Sequence, residues 1–125
     1  MPDALDILMI EDEPNIAEAV HFILSRDGWR VAPHGDGLTA MGAIRDRRPR
    51  LVILDLMLPG RSGAEILAEL RADPDTGLAA TPVLMLTARG QGGGGPDRAG
   101  QADRLMAKPF ANDDLRAAVR AMLDG

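Results

Sequence analysis

Cysteine and tyrosine are both absent from this chain of 125 residues, and tryptophan and phenylalanine contribute only three side chains. The lack of cysteine excludes disulfide bonds and thiolate metal sites, and it is compatible with a reducing compartment. With so few aromatic side chains, a core must be built from aliphatic residues. These are plentiful, because 46% of the residues are hydrophobic, and the length fits one domain over residues 1–125.

Long hydrophobic runs and excess positive charge are also missing. No apolar run approaches the roughly 18 residues that cross a bilayer, and the start, MPDALD, has no basic region followed by a hydrophobic stretch. We therefore expect no membrane contact and a cytoplasmic location. The formal net charge of −5 argues against direct binding of nucleic acid, which depends on a basic surface. The one basic stretch, RDRRPR at 45–50, is typical of a solvated helix C-terminus.

Short apolar runs alternate with stretches in which apolar residues recur at helical spacing. Parallel strands need crossover connections, and these are usually helices. The alternation therefore predicts a parallel sheet with helices on both faces. The predicted strands are LDILMI (5–10), WRVAP (29–33), the run from Leu51 to Leu58, TPVLMLTA (81–88) and RLMA (104–107), and DPDTG (73–77) is predicted to be a loop.

One crossover has the wrong composition for a helix. Between the fourth and fifth strands the chain reads RGQGGGGPDRAGQ, residues 89–101. Each glycine costs a helix about 1 kcal/mol relative to alanine, and an interior proline costs about 3 kcal/mol. We therefore expect the fourth helix of the α/β alternation to be absent, short or disordered.

Polar side chains stand where the predicted strands end. Strand one ends at Glu11 and Asp12, strand three at Asp55, strand four at Thr87 and strand five at Lys108. Ligands of open parallel α/β sheets bind beyond the carboxyl ends of the strands. Three carboxylates, one hydroxyl and one ammonium are therefore expected at one edge of the sheet.

This set of groups suits phosphoryl transfer. Clustered carboxylates repel one another unless a cation lies among them, and Mg²⁺ takes one or two carboxylates while keeping sites for water or phosphate. Asp55 can then remain ionised and nucleophilic. Lys108 can offset charge on the phosphoryl oxygens, and the hydroxyl of Thr87 can hydrogen-bond one of them.

Four stretches resemble the receiver domain of two-component response regulators, the family of the chemotaxis regulators. The similarity covers nearly the whole chain and implies a flavodoxin-like, doubly wound, five-stranded parallel sheet in the order 2-1-3-4-5. It also implies a signalling module, with at most self-phosphorylation and self-dephosphorylation as enzymatic activity. The stretches are ILMIEDEP (7–14), LVILDLMLPGRSG (51–63), PVLMLTA (82–88) and MAKPF (106–110).

The resemblance assigns a role to each polar residue. Asp55 would accept a phosphoryl group from a phosphohistidine of a sensor histidine kinase or histidine phosphotransfer protein. Mg²⁺ would be bound by Asp12, Asp55 and the backbone carbonyl of Met57, with Glu11 acting through water. Lys108 would pair first with Asp55 and then with the phosphoryl group.

The resemblance also describes the switch. Thr87 would rotate toward the phosphoryl group, and a change in residues 87–108 would alter binding of a downstream protein, whose identity the sequence does not give. This chain departs from the family at two places. Leu105 stands where the family usually has an aromatic residue, and the glycine run stands where the family has its fourth helix. We therefore consider two hypotheses for the glycine run: it becomes ordered on phosphorylation or partner binding, or it is a permanently flexible loop.

Two alternatives are kept open. The chain could be a receiver excised from a larger hybrid kinase or transcription regulator. It could also be an aspartyl-phosphate hydrolase of the haloacid dehalogenase type, which resembles this chain in having a nucleophilic aspartate after a strand. Those enzymes have a second aspartate two positions later, where this chain has Met57, and this difference speaks against the hydrolase.

Overall fold

The computed structural model describes residues 5–88 and 102–124, in which strands and helices alternate. Five parallel strands form one sheet in the order β2-β1-β3-β4-β5, which confirms the predicted order. The glycine-rich crossover, for which we expect no full helix, lies outside the described residues. The elements are β1 (Ile7–Ile10), α1 (Pro14–Arg26), β2 (Val31–His34), a 3₁₀ turn (Gly37–Thr39), α2 (Ala40–Arg47), β3 (Leu51–Asp55), α3 (Gly63–Arg71), α4 (Thr76–Ala79), β4 (Val83–Ala88), β5 (Arg104–Lys108) and α5 (Asn112–Asp124).

The core has two layers, one on each face of the sheet. The strands β1 and β3 are buried along their whole length, as their apolar sequences, interrupted only by Asp55 at the end of β3, predict for a parallel sheet covered on both faces. Because successive side chains of a strand point to opposite faces, Leu8 packs with α2 and α3, whereas Ile7 packs with α1 and α5. None of the helices within 5–88 and 102–124 is long and apolar enough to cross a membrane.

The helix that follows β3 has a well-defined start. The side chain of Ser62 accepts a hydrogen bond from the backbone N–H of Glu65 at 3.2 Å, and the Glu65 carboxylate accepts one from the N–H of Ser62 at 3.0 Å. This reciprocal capping box satisfies two N–H groups that a helix N-terminus otherwise leaves unpaired. It stabilises the first turn of α3 by contacts within the helix itself.

The prediction of a loop over DPDTG is wrong in its last two residues, because a one-turn helix, α4, begins at Thr76. Asp75 stabilises this turn by accepting a hydrogen bond from the N–H of Leu78 at 3.1 Å. The turn also buries Leu78 against the core. A capping aspartate and one buried leucine thus support a helical turn in a stretch with loop composition.

The strand β2 lies at one edge of the sheet and contains Pro33, which is paired with Met9 of β1. Proline has no backbone N–H and is confined within sheets to edge strands, strand starts or bulges. Its presence is consistent with the edge position of β2.

Candidate functional site

The candidate site lies at the carboxyl edge of the sheet. Asp55 is the last residue of β3 and Lys108 the last residue of β5, whereas Glu11 directly follows β1. Between β3 and β5, the strand β4 places Thr87 one residue beyond Leu86, the partner of Asp55. The sheet order therefore brings groups from four separate segments to one edge.

Lys108 bridges two buried carboxylates. Its Nζ donates a hydrogen bond to Oε1 of Glu11 at 3.0 Å and another to Oδ2 of Asp55 at 3.1 Å. Glu11 and Asp55 are each only 2% exposed, so both depend on the protein rather than on water for their partners. The ammonium group thus explains why an acid can stand in the buried strand β3.

Backbone N–H groups hold the remaining oxygens of these two carboxylates. The N–H of Met57 donates to Oδ1 of Asp55 at 3.1 Å, and the N–H of Glu13 donates to Oε2 of Glu11 at 3.0 Å. Each carboxylate therefore accepts one backbone hydrogen bond and one from Lys108. This arrangement fixes the orientation of both acids before any ligand arrives.

Burial and hydrogen bonding shift the pKa values of Glu11 and Lys108 in opposite directions. Burial raises the pKa of Glu11, the neighbouring Asp55 raises it further, and the hydrogen bonds from Glu13 and Lys108 do not fully offset this rise. Burial alone lowers the pKa of Lys108, but its hydrogen bonds to the two carboxylates outweigh that effect and raise the pKa above its ordinary value. The site therefore favours the charged form of Lys108, and Glu11 loses its proton less readily than an exposed glutamate does.

The negative charge of the cluster exceeds the charge of Lys108. Glu11, Asp12 and Asp55 each offer a carboxylate oxygen, and these oxygens lie within 4.8 Å of one another. Three carboxylates and one ammonium leave an excess of two negative charges when all are ionised. Asp12 is exposed, so the cluster is open to solvent and can admit a hard, oxygen-binding divalent cation.

Two further residues of the predicted site have distinct environments. Thr87 is 2% exposed, and its hydroxyl has no hydrogen-bond partner within the part of the chain that the structure describes. Met57 is 57% exposed. Its predicted contribution is that of the backbone carbonyl, because Mg²⁺ prefers oxygen ligands to a thioether. The peptide bond between Lys108 and Pro109 is cis.

An apolar groove of about 490 Å³ adjoins Asp55 and Lys108. Its walls come from α1, from the segment after β3 and from the start of the segment after β5. The apolar wall residues include Ile16, Val20, Ile23, Met57 and Phe110. No pattern in the sequence indicated this groove, because its walls are distant in the chain and each is an ordinary apolar residue.

Sequence reasoning also missed the direct contact of Glu11 with Lys108. The resemblance gives Glu11 a role through water, whereas in the structure it accepts a hydrogen bond from the lysine. The two residues are 97 positions apart, and only the common sheet edge could have indicated the contact.

Replacing Glu11 with glutamine should change how stability depends on pH. Because the pKa of Glu11 is raised in the folded protein, its contribution to stability is fully present below the unfolded pKa and is lost as pH rises through the folded pKa. The wild type should therefore gain stability relative to Glu11→Gln as pH falls through the raised pKa of Glu11 toward the ordinary glutamate value of 4.5. Urea unfolding of both proteins without divalent cations measures this difference, and parallel pH curves would contradict the raised pKa.

Comparison with known proteins shows similarity to response regulators. The family model of the response regulator receiver domain matches residues 7–120. The chain is 39% identical over 125 residues to the DNA-binding response regulator MtrA of Mycolicibacterium smegmatis, covering 94% of this chain and 50% of that protein. It is 38% identical to the probable transcriptional regulatory protein TcrX of Mycobacterium tuberculosis, covering 94% of this chain and 49% of that protein. The chain thus spans about half the length of these relatives.

Solved structures that resemble this chain are also receiver domains. The receiver domain of NtrX from Brucella abortus superposes with a TM-score of 0.84 at 32% identity, covering 95% of this chain and 98% of that one. The receiver domain of the sensor histidine kinase PA1611 from Pseudomonas aeruginosa superposes with a TM-score of 0.85 at 25% identity, covering 98% and 99%. That structure has a magnesium ion coordinated in its active-site cleft.

Proposed function

Because the chain belongs to the response regulator receiver domain family, we propose that Asp55 is its phosphoacceptor and that phosphoryl transfer to Asp55 requires Mg²⁺. The observation that carries the proposal is the environment of Asp55. This carboxylate is 2% exposed, oriented by two hydrogen bonds, and close to two further acids and a lysine.

The donor in this proposal is a phosphohistidine of a sensor histidine kinase or of a histidine phosphotransfer protein. A carboxylate oxygen of Asp55 forms a bond to phosphorus, and the bond between phosphorus and the histidine nitrogen breaks. The imidazole leaves with that electron pair and takes a proton from solvent. The product is an acyl phosphate on Asp55. The step involves no oxidation or reduction, and it consumes only the phosphohistidine and a proton from solvent.

The surrounding groups stabilise the negative charge that passes from the Asp55 carboxylate to the phosphoryl oxygens during transfer. Lys108 is already within hydrogen-bond distance of Asp55, so its ammonium can follow the negative charge from the carboxylate to the phosphoryl oxygens. The Thr87 hydroxyl, buried and without a described partner, is able to donate a hydrogen bond to one of those oxygens. The Met57 N–H keeps Asp55 in its orientation throughout.

The residues present fit Mg²⁺. The ion supplies a positive charge that screens the carboxylates and binds phosphoryl oxygens when it is present. Asp12, Asp55 and the backbone carbonyl of Met57 would hold it, and Glu11 would act through water. The excess negative charge of the cluster and its exposed rim at Asp12 support this assignment.

The groove beside Asp55 is the docking surface that this proposal assigns to the phosphodonor protein. Its apolar walls and volume of about 490 Å³ suit apolar side chains of the donor protein, which would hold its phosphohistidine near the carboxylate. Phosphorylation would then alter the binding of a downstream protein through residues 87–108, of which 89–101 lie outside the described part of the chain. The hydrolase alternative is not favoured, because the family is that of receivers and Met57 occupies the position of the required second aspartate.

We expect no direct contact of this domain with nucleic acid, and its net charge of −5 supports that expectation. The description of MtrA as DNA-binding applies to a protein about twice as long. A gel-shift series with nonspecific duplex DNA at low salt tests the expectation, since binding there would overturn it.

Incubation with a small phosphodonor, such as acetyl phosphate, tests the proposed function. With Mg²⁺ the intact mass should increase by one phosphoryl group, and hydroxylamine should remove the group because acyl phosphates are labile to it. With a chelator in place of Mg²⁺ the increase should be absent. Equal modification with and without the metal would overturn the proposed requirement for Mg²⁺.

A further inference from the structure

The first residue of α3, Gly63, lies unusually close to the backbone of the phosphoacceptor residue. A Cβ atom added to Gly63 would be 2.3 Å from the carbonyl oxygen of Asp55 and 2.9 Å from the Cα of Leu56. Real Cβ atoms essentially never approach other atoms to less than 3.0 Å. The backbone of Gly63 is not in the left-handed region, so what glycine supplies here is space.

This close approach is held from both sides. The N–H of Gly63 donates a hydrogen bond to the carbonyl oxygen of Leu56 at 2.9 Å, and the N–H of Leu56 donates to the carbonyl oxygen of Leu86 in β4 at 2.8 Å. The capping box of Ser62 and Glu65 fixes the start of α3 independently. The end of β3 is therefore clamped between β4 and the first turn of α3.

The clamped segment is joined to the Asp55 carboxylate by a hydrogen bond. The N–H that orients Oδ1 of Asp55 belongs to Met57, the residue after Leu56. Ordinary contact begins at 3.4 Å, so a methyl group on Gly63 must push Asp55 and α3 apart by about 1 Å. A misplacement of about 1 Å at a reacting group can reduce a rate by about a hundredfold.

We infer that Gly63 is a positioning residue for the phosphoacceptor site. By lacking a side chain it lets α3 press against the Asp55 backbone, and this contact keeps the Met57 N–H on the Asp55 carboxylate. The inference rests on the proposed function of Asp55 for its consequence in phosphoryl transfer, but the contact itself belongs to the structure.

The test compares Gly63→Ala with two matched variants. Gly42→Ala introduces the same methyl group in α2, where nothing lies within 4 Å. Ser62→Ala removes the cap of α3 without adding an atom near Asp55, and it should lower the folding equilibrium constant about fivefold. For each protein, hydrogen exchange of the Met57 amide, the dissociation constant of Mg²⁺ and the rate of modification by acetyl phosphate are measured.

Gly63→Ala should increase exchange of the Met57 amide about tenfold, weaken Mg²⁺ binding about tenfold and slow modification about a hundredfold. Gly42→Ala and Ser62→Ala should stay within about twofold of wild type in all three after correction for the folded fraction. The inference is overturned if Ser62→Ala matches Gly63→Ala, or if Gly63→Ala leaves Met57 exchange unchanged.

Two outcomes separate this inference from the proposed function. If the wild type takes no phosphoryl group, the proposed function fails, whereas Met57 exchange still decides whether Gly63 positions Asp55. If Gly63→Ala is unfolded, the measurements are repeated in about 1 M trimethylamine N-oxide, which favours the compact state. A variant that remains unfolded there overturns the inference, because the glycine is then required for folding as a whole.

Discussion

Replacing Asp55 with asparagine is expected to abolish phosphoryl acceptance and to leave the fold intact. The amide cannot attack phosphorus as the carboxylate does, and loss of a nucleophile typically reduces rates by a factor on the order of 10⁴ or more. The mass increase after incubation with Mg²⁺ and acetyl phosphate should therefore disappear. Asp46→Asn, which makes the same change at an exposed position of α2, should be modified like the wild type.

The same variant has a second expected property. Asparagine retains an oxygen that can accept the hydrogen bond of Met57 or Lys108, and it removes one of the three clustered negative charges. Asp55→Asn should therefore be at least as stable as the wild type without Mg²⁺ and should gain less stability when Mg²⁺ is added. Thermal unfolding with and without Mg²⁺ measures both effects. A variant that is still modified at the wild-type rate would place the phosphoacceptor elsewhere.

Replacing Lys108 with methionine is expected to lower stability and slow phosphoryl transfer together. The change leaves Glu11 and Asp55 buried side by side without their shared cation. Removing one partner of a fully buried ion pair costs about 3–5 kcal/mol. We expect about 2 kcal/mol here, because the Lys108 side chain is 22% exposed and solvent can reach the vacated space. Urea unfolding without divalent cations measures this loss.

Measurements with Mg²⁺ should separate the contribution of Lys108 to stability from its contribution to the rate of phosphoryl transfer. In Lys108→Met the acidic cluster has a larger excess of negative charge, so Mg²⁺ should bind more tightly and restore part of the lost stability. Transfer from acetyl phosphate should nevertheless remain about a hundredfold slower at saturating Mg²⁺, because no ammonium follows the charge onto the phosphoryl oxygens. The control is Arg104→Met, which removes a positive charge from an exposed position of the same strand and should leave the rate unchanged. Recovery of the full rate with Mg²⁺ would show that Lys108 acts only on stability.

The sheet was predictable because burial on both faces leaves a clear signature. The strands β1 and β3 are buried at every position, and apart from Asp55 at the end of β3 they are continuous apolar runs. The helix α4 was not predictable in the same way, because one capping aspartate, Asp75, and one anchoring leucine, Leu78, decide it. Its formation depends on where the leucine can be buried, which is a property of the folded core.

The components of the site were predictable, and their connections were not. Parallel topology places the ends of all strands at one edge, so Asp55 and Lys108 could be expected there from their positions alone. That Lys108 bonds Glu11 as well as Asp55 depends on side-chain directions that no spacing gives. The importance of the space at Gly63 was invisible for the same reason, since a close approach of two backbones has no local sequence pattern.

Pro33 has a consequence for assembly. A sheet edge with free N–H groups can recruit a strand from another chain, which leads to sheet extension or aggregation. In β2 the proline interrupts the row of donors at the second position from the strand's end. Any partner that lengthens this sheet by adding a strand is therefore expected to do so beside β5, on the far side from β2.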